Sequence, residues 1–338
     1  MTSSPRPVVI IAEAGVNHNG DIQRALDLVD AAADARADFV KFQTFRASRL
    51  VTVDAAKAAY QIAATGATES QRDMLTRLEL SVADHETLVA RCAARGIGFL
   101  STGFDEESVD LLVSLGVPYL KVPSGEITNL PYLRHIAAKQ LPVLLSTGMA
   151  TLGDIEAALG VLTSAGIAKD AITVLHCTSQ YPAPLTEVNL RAMCTIRDAF
   201  EVNVGYSDHT LGIEVSLAAT ALGATVIEKH FTLDRTLPGP DHAASLEPGE
   251  LTSMVSGIRA VTTALGNGIK APTESEQHTR VVGRRSIVAA RAIRAGEILS
   301  AENLAAKRPA TGVSPMQWDD VIGRVARRDY ATDDMIEL

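Results

Sequence analysis

The chain has no apolar run approaching the length of a membrane-spanning helix, roughly 18 residues. Its first residues, Met1-Thr-Ser-Ser-Pro-Arg-Pro7, pass directly into a short apolar segment without the charged, apolar and small-residue succession of a signal peptide. Cysteine is scarce. Cys92, Cys177 and Cys194 are odd in number and too widely spaced for a zinc knuckle, which excludes a disulfide framework and reads as a cytoplasmic protein with reduced thiols. Excess positive charge is also missing. A formal net charge of −9 excludes a general binder of nucleic acid or acidic membranes, so an anionic substrate would need local positive charge set against the overall field. Aromatic residues make up only 4% of the 338 residues, but hydrophobic residues make up 46%, ample for one large domain and a small one.

What the chain does have is alternation. Eight short apolar runs, at residues 8–15, 37–44, 96–102, 119–124, 142–147, 172–178, 201–209 and 226–232, are separated by stretches with helical period. The runs are continuous rather than alternating, as expected of parallel strands buried on both faces. In the first intervening stretch Ile22, Ala25, Leu26, Val29 and Ala33 form an apolar stripe behind the capping residue Asp21. Another begins at Ser81 with Asp84 three residues on, a capping-box variant, and stops at Gly96. Eight βα units over residues 1–265 predict a (β/α)8 barrel, which needs roughly 250 residues. A doubly wound open sheet is disfavoured, because Glu13-Ala-Gly-Val-Asn-His-Asn-Gly20 after the first strand is not GxGxxG. One connection is long: residues 45–71 precede the next clear helix at 74–78, and with Tyr60 and Gln61 they are placed to cover the barrel mouth. Residues 266–283 read as a Gly/Pro/polar linker. Residues 284–338 read as a small, mostly β or irregular domain with strand pieces at 286–290 and 298–299.

Catalytic groups of such a barrel come from the C-terminal ends of its strands. Those ends are crowded with polar residues: Glu13, Asn17 and His18; Lys41 and Gln43; Ser101 and Thr102; Lys121, Ser124 and Glu126; Ser146 and Thr147; His176, Thr178, Ser179 and Tyr181; Ser207, Asp208 and His209; Glu228, Lys229 and His230. Two lysines and several hydroxyls converging on one mouth suit a phosphate or carboxylate, the lysines as point charges and the hydroxyls as neutral donors. His209 and His230 stand one βα unit apart at neighbouring strand ends. Two readings fit them at this level: a divalent-metal pair, or hydrogen-bonded strand-end residues. Two imidazoles are few for zinc and suit an ion that keeps water, such as Mn2+. His176, inside an apolar run, reads as an inward, hydrogen-bonded barrel residue.

Ile11-Ala-Glu-Ala-Gly-Val-Asn-His-Asn-Gly20, Val40-Lys-Phe-Gln-Thr44, Lys121-Val-Pro-Ser-Gly-Glu126, Leu145-Ser-Thr-Gly-Met149, His176-Cys-Thr-Ser-Gln-Tyr-Pro182, Gly205-Tyr-Ser-Asp-His-Thr210, Glu228-Lys-His-Phe-Thr232 and Gly239-Pro-Asp-His242 follow one another in the chain. In that order they resemble the bacterial sialic acid synthase family, and the tail with Lys307-Arg-Pro309 is similar to its antifreeze-like (SAF) domain. The resemblance implies condensation of phosphoenolpyruvate with an N-acylated mannosamine-type sugar and water, giving a nine-carbon 2-keto acid and phosphate. The sugar is either N-acetylmannosamine or 2,4-diacetamido-2,4,6-trideoxymannose, and the first motif and the Thr-Ser-x-Tyr-Pro stretch look closer to members making legionaminic-type acids. It further implies a divalent ion (Mn2+, with Mg2+ or Co2+ as alternatives) on His209 and His230, and a homodimer in which the SAF domain covers the partner's barrel mouth. Lys41, Thr102, Lys121, Ser124, Ser146, Ser179, Tyr181 and Ser207 match phosphoenolpyruvate-binding positions. Glu13, Gln43, Glu126 and Asp241 match sugar-contacting or acid–base positions, and Arg308 matches the SAF arginine that reaches the sugar's acyl group from the other subunit. Gly103 stands where the family often has Pro, a change expected to loosen the loop after strand three. The alternatives are a Schiff-base aldolase using Lys41, Lys121 or Lys229 and a non-catalytic sugar-binding protein.

Overall fold

In the computed structural model, residues 7–58, 61, 62, 66 and 68–338 are described; Tyr60 and residues 1–6, which enter the readings above, lie outside them. The eight apolar runs form parallel strands β1 (Val9–Gly15), β2 (Phe39–Thr44), β3 (Gly98–Gly103), β4 (Leu120–Val122), β5 (Val143–Ser146), β6 (Ile172–Cys177), β7 (Asn203–Asp208) and β8 (Val226–His230). Their order in the sheet is β3-β2-β1-β8-β7-β6-β5-β4. First and last strands therefore pair with each other, and β3 and β4, the two ends of that order, lie side by side, which closes a (β/α)8 barrel. Several strands are shorter than the apolar runs, because apolar character continues beyond the ladder: Phe231, just past β8, makes only an isolated bridge to Leu246.

The helices pack their apolar faces on the outside of this sheet. In α1 (Ile22–Asp34), Asp21 accepts from the Gln23 and Arg24 N–H groups, and Ala25, Leu28, Val29 and Ala32 are buried, with Ile22, Leu26 and Ala33 half-buried beside them. Among its described residues the long connection holds two short helices, α2 (Ala47–Leu50) and α3 (Gln71–Thr76). The second starts earlier than the apolar pattern indicates, because Ser70 caps it by accepting from the Asp73 N–H. In α4 (Val82–Arg95) the Ser81–Asp84 capping box and the left-handed Gly96 stop are both present. Between β3 and β8 the strands alternate with α5 (Glu106–Ser114), α6 (Leu130–Ala138), α7 (Leu152–Ser164), α8 (Arg191–Phe200) and α9 (Glu214–Ala221), and α10 (Pro248–Leu265) follows β8. No helix among the described residues is long and apolar enough to cross a membrane.

The chain divides into two compact units, Met1–Asn267 and Gly268–Leu338. The stretch expected as a linker is partly helical: α11 spans Glu274–Gly283 behind a Thr273–Glu276 capping box. Its polar composition suggested a loop, but Thr-x-x-Glu is also a helix start. In the second unit β9 (Ser286–Ala289) pairs antiparallel with β10 (Leu304–Lys307) over a core that includes Ile287, Ile293, Leu299, Val321, Tyr330 and Ile336. The piece expected at 298–299 is an isolated bridge from Ile298 to Val325.

Candidate active site

Side chains on a strand alternate between the barrel axis and the helices. The axial set at the C-terminal end lines a cavity of about 430 Å³. Glu13, Lys41, Gln43, Thr102, Lys121, Ser146, Ser207 and His230 reach it from the strands, and Ser124, Glu126, Ser179, Tyr181, His209 and Asp241 from the connections. Register explains the convergence: Glu13 sits beside both Lys41 and His230, Gln43 beside Thr102, and Ser207 beside Glu228. Gly15, at φ +54°, lets this corner close: a Cβ there would stand 3.3 Å from His230 Cε1 and 3.5 Å from Gln43 Nε2. Glycine is the residue that takes up such a backbone without steric cost.

Glu228 lies between the two lysines. Lys121 Nζ donates to its carboxylate at 2.9 and 3.2 Å, Ser207 Oγ donates at 2.8 Å, and Lys41 Nζ lies 3.5 Å away. Lys41 also pairs with Glu13 at 2.7 Å and donates to Thr102 Oγ1 at 2.7 Å. The two carboxylates diverge. Burial alone would raise Glu228, but the ammoniums of Lys121 and Lys41 outweigh it and hold this carboxyl well below its ordinary range. Burial pushes Glu13 up to about 7, against the pull of Lys41 and with the help of Glu228's charge. Two cations thus face one firmly ionised carboxylate and one poised near neutrality, which leaves positive charge to spare for an anion. Asp241 is lifted by burial to about 6.

On the β4–β6 side the cavity is lined by small donors. Ser124 Oγ accepts from the Gly148 N–H at 2.9 Å and lies 3.3 Å from Cys177 Sγ. Gly148 permits this, as a Cβ there would meet Ser179 Oγ at 2.0 Å. Ser146 Oγ is buried with no partner among the described residues, as an anion-binding hydroxyl would be. On the β7–β8 side the two imidazole centroids lie 5.6 Å apart, and the Tyr181 ring packs 4.1 Å from His209. His209 Nδ1 lies 2.7 Å from the Thr178 carbonyl oxygen. A carbonyl can only accept, so Nδ1 carries the proton and Nε2 presents its lone pair, 3.4 Å from Ser207 Oγ, whose proton goes to Glu228. His230 Nδ1 is buried without a partner among the described residues. Burial keeps both rings neutral, lowering His209 to about 4 and His230 well below its usual value. Two neutral imidazoles, His209 oriented by the Thr178 carbonyl, fit a divalent ion, and no cluster of three or more His, Cys, Asp or Glu joins them among the described residues.

Several expectations change. His176 is hydrogen-bonded, Nε2 to the Val188 carbonyl at 2.8 Å, but it faces the helix layer and not the barrel axis. Lys229 also points outward, where it pairs with Asp208 at 3.0 Å, with both side chains fully buried. It is thereby removed as a Schiff-base lysine. Lys41 is held as a cation, its pKa raised by Glu13 and Glu228 against the effect of burial. Gly103 is the last residue of β3, where it pairs with Thr44 and its carbonyl accepts from the Tyr132 hydroxyl. Arg308 lies exposed in the second unit, just past β10. Gln61 lines the cavity, and His18 is fully buried with Nδ1 accepting from the Gly20 N–H. Sequence reasoning gave Glu228 no role, although its spacing of two from His230 puts both on one face. It also passed over Cys177 and the apolar side of the cavity.

Residues 28–270 match the model of the NeuB family, and residues 284–337 match the SAF domain. The chain belongs to the NeuB family. This NeuB-family chain is 53% identical over 331 residues to the N,N'-diacetyllegionaminic acid synthase of Campylobacter jejuni subsp. jejuni serotype O:2, covering 98% of this chain and 99% of that protein. It is 50% identical over 316 residues to the synthase of the same name from Legionella pneumophila subsp. pneumophila, covering 93% and 89%. Among solved structures, the N-acetylneuraminic acid synthetase of Leptospira borgpetersenii serovar Hardjo-bovis superposes with a TM-score of 0.71 at 36% identity, covering 81% of this chain and 90% of that one.

Proposed function

We propose that this enzyme condenses phosphoenolpyruvate with 2,4-diacetamido-2,4,6-trideoxymannose and water, giving N,N'-diacetyllegionaminic acid and phosphate. The observation that carries the reading is the cavity itself: two lysines sharing one ionised carboxylate, beside a row of hydroxyls and two neutral imidazoles, in a chain at least 50% identical to two legionaminic acid synthases.

Phosphoenolpyruvate sits against Lys41, Lys121 and Thr102, with Ser124, Ser146 and Ser179 donating to its oxygens. Its enol carbon attacks the sugar's aldehyde carbon. Glu13, poised near neutrality, gives its proton to the aldehyde oxygen as that oxygen becomes a hydroxyl. Water adds to the cationic C2 left behind, returning one proton to the Glu13 carboxylate, and the adduct releases phosphate by C–O cleavage with the second proton leaving on phosphate, so the water oxygen becomes the keto oxygen. Glu228 keeps both lysines aimed during these steps. Gln43, Glu126 and Asp241 face the sugar's hydroxyl and amide groups. His209 and His230 would hold a divalent ion, which we assign as Mn2+, and that ion supplies Lewis-acid polarisation of the aldehyde.

The active assembly in this proposal is a homodimer in which the partner subunit's Arg308 reaches the sugar's acyl group; the exposure of Arg308 outside the unit that holds the cavity supports it. Three free cysteines support a cytoplasmic setting. The test is phosphate release from phosphoenolpyruvate with a panel of 2-acetamido and 2,4-diacetamido sugars, with and without EDTA, and the product mass determined. A nine-carbon diacetamido acid formed only with metal is expected. Release of phosphate with N-acetylmannosamine alone would overturn the choice of sugar, and undiminished turnover after chelation would overturn the metal.

A further inference from the structure

The cavity is chemically lopsided. Its β4–β6 side carries most of the hydroxyls and its β7–β8 side the imidazoles, while its β1–β3 side presents Glu13, Lys41, Gln43 and Thr102 at strand level and, past the strand ends, a layer that is apolar except for Gln61 and Gln71. Val16 follows β1, Phe45 follows β2 and Phe104 follows β3, while Leu75 and Leu78 return from the long connection. These residues form a hydrophobic cluster separate from the barrel core, and the Phe45 and Phe104 rings meet edge to face at 6.1 Å. In a closed eight-strand ring, β1–β3 lies across from the β5–β6 hydroxyls. Val16, Phe45 and Phe104 lie past the strand ends that carry Glu13, Lys41 and Thr102, so a substrate that leaves its phosphate among the lysines and hydroxyls at strand level and its aldehyde near the imidazoles has the apolar wall, nearer the mouth, beside its remaining carbons.

We infer that this wall is the specificity element for the far end of the acceptor: it takes the C6 methyl of a 6-deoxy sugar and selects such sugars over those carrying a C6 hydroxyl. The inference rests on the phosphoenolpyruvate-condensing reading of the same cavity. A methyl set against Phe104 and Leu78 leaves water for apolar neighbours. A hydroxyl there gives up its water and meets carbon, and an apolar pocket discriminates against an added hydroxyl by on the order of 100-fold.

The test compares 2,4-diacetamido-2,4,6-trideoxymannose with its 6-hydroxy counterpart, a pair differing only at C6, in the full-length enzyme with Mn2+. The ratio of their kcat/KM values is read by phosphate release. For the unmodified enzyme the ratio is expected to favour the 6-deoxy sugar by on the order of 100-fold. In Phe104→Tyr and Leu78→Gln, each of which brings a polar group to the wall, the ratio should narrow about tenfold or more, with the KM for phosphoenolpyruvate moving by about twofold at most. Phe104→Tyr keeps the ring and the fold if Leu78→Gln does not. Equal use of the two sugars, or an unmoved ratio in Phe104→Tyr, overturns the inference and leaves the condensing activity standing. No phosphate release with either sugar overturns the functional reading beneath it.

Discussion

Within β8 three consecutive ionisable residues divide between two surroundings. Glu228 and His230 face the barrel axis and line the cavity, while Lys229 faces the helix layer. On the outer side the charges balance. One lysine meets one aspartate at 3.0 Å, and Asp208 also accepts from the Thr210 N–H, the Thr210 hydroxyl and the Ser216 hydroxyl. On the inner side they do not. Lys41 and Lys121 share Glu228, and Glu13 is pushed toward its neutral form. The sealed pair ties β7 to β8 directly behind the two histidines, since Asp208 and Lys229 are register partners. A buried ion pair is thus no sign of a site. An imbalance of charge beside open volume, with unpartnered groups such as Ser146 Oγ and His230 Nδ1, is one.

Replacing a lysine on each side separates the two roles. On the inner side, Lys121→Met should lower kcat/KM for phosphoenolpyruvate by on the order of 1,000-fold, the scale of losing a charge aimed at a transferring phosphate, while the thermal midpoint shifts little because the freed Glu228 borders a cavity. A loss under tenfold would place the phosphate elsewhere. A smaller effect on turnover, on the order of 100-fold, is expected for Glu13→Gln. Here the pH profile is the sharper readout. Burial raises this carboxyl to about 7, so in the free enzyme the protonated acid prevails below that pH and is lost above it. The kcat/KM of the unmodified enzyme should therefore fall as pH rises through about 7, and Glu13→Gln should remove that descending limb. Persistence of the limb in the variant would assign it to another group.

Least affected in turnover is the outer lysine. Lys229→Met strands Asp208 as a buried charge, which costs about 3 kcal/mol of stability, but its kcat/KM should stay within about tenfold of the unmodified enzyme at a temperature where it is folded. Chemical denaturation and steady-state kinetics on the same preparation check both halves. A catalytic collapse in a variant that remains fully folded would move Lys229 from scaffold to reaction.

The barrel was legible because continuous apolar runs at βα spacing leave few other solutions, and Asp21 and Ser81 mark helix starts by capping chemistry that is local. Strand-end residues were legible as a crowd but not as two faces. Reading alternation through β8 from His230 would have put Glu228 inside and Lys229 outside, and the same count from Cys177 would have turned His176 outward. The apolar wall was hidden for a different reason. Its members come from separate connections, after β1, β2 and β3, and only folding brings Val16, Phe45, Leu78 and Phe104 together. Helix α11 was obscured by composition, with Gly, Pro and polar residues masking a Thr273–Glu276 capping box.

The central claim, that the inner face performs a phosphoenolpyruvate condensation, is tested most directly with phosphoenolpyruvate carrying 18O at its bridging oxygen. Reacted with 2,4-diacetamido-2,4,6-trideoxymannose and Mn2+, the enzyme should release phosphate that retains the label together with an unlabelled nine-carbon 2-keto acid. Unlabelled phosphate, with the 18O left in the organic product, would mean cleavage at phosphorus and would contradict the account.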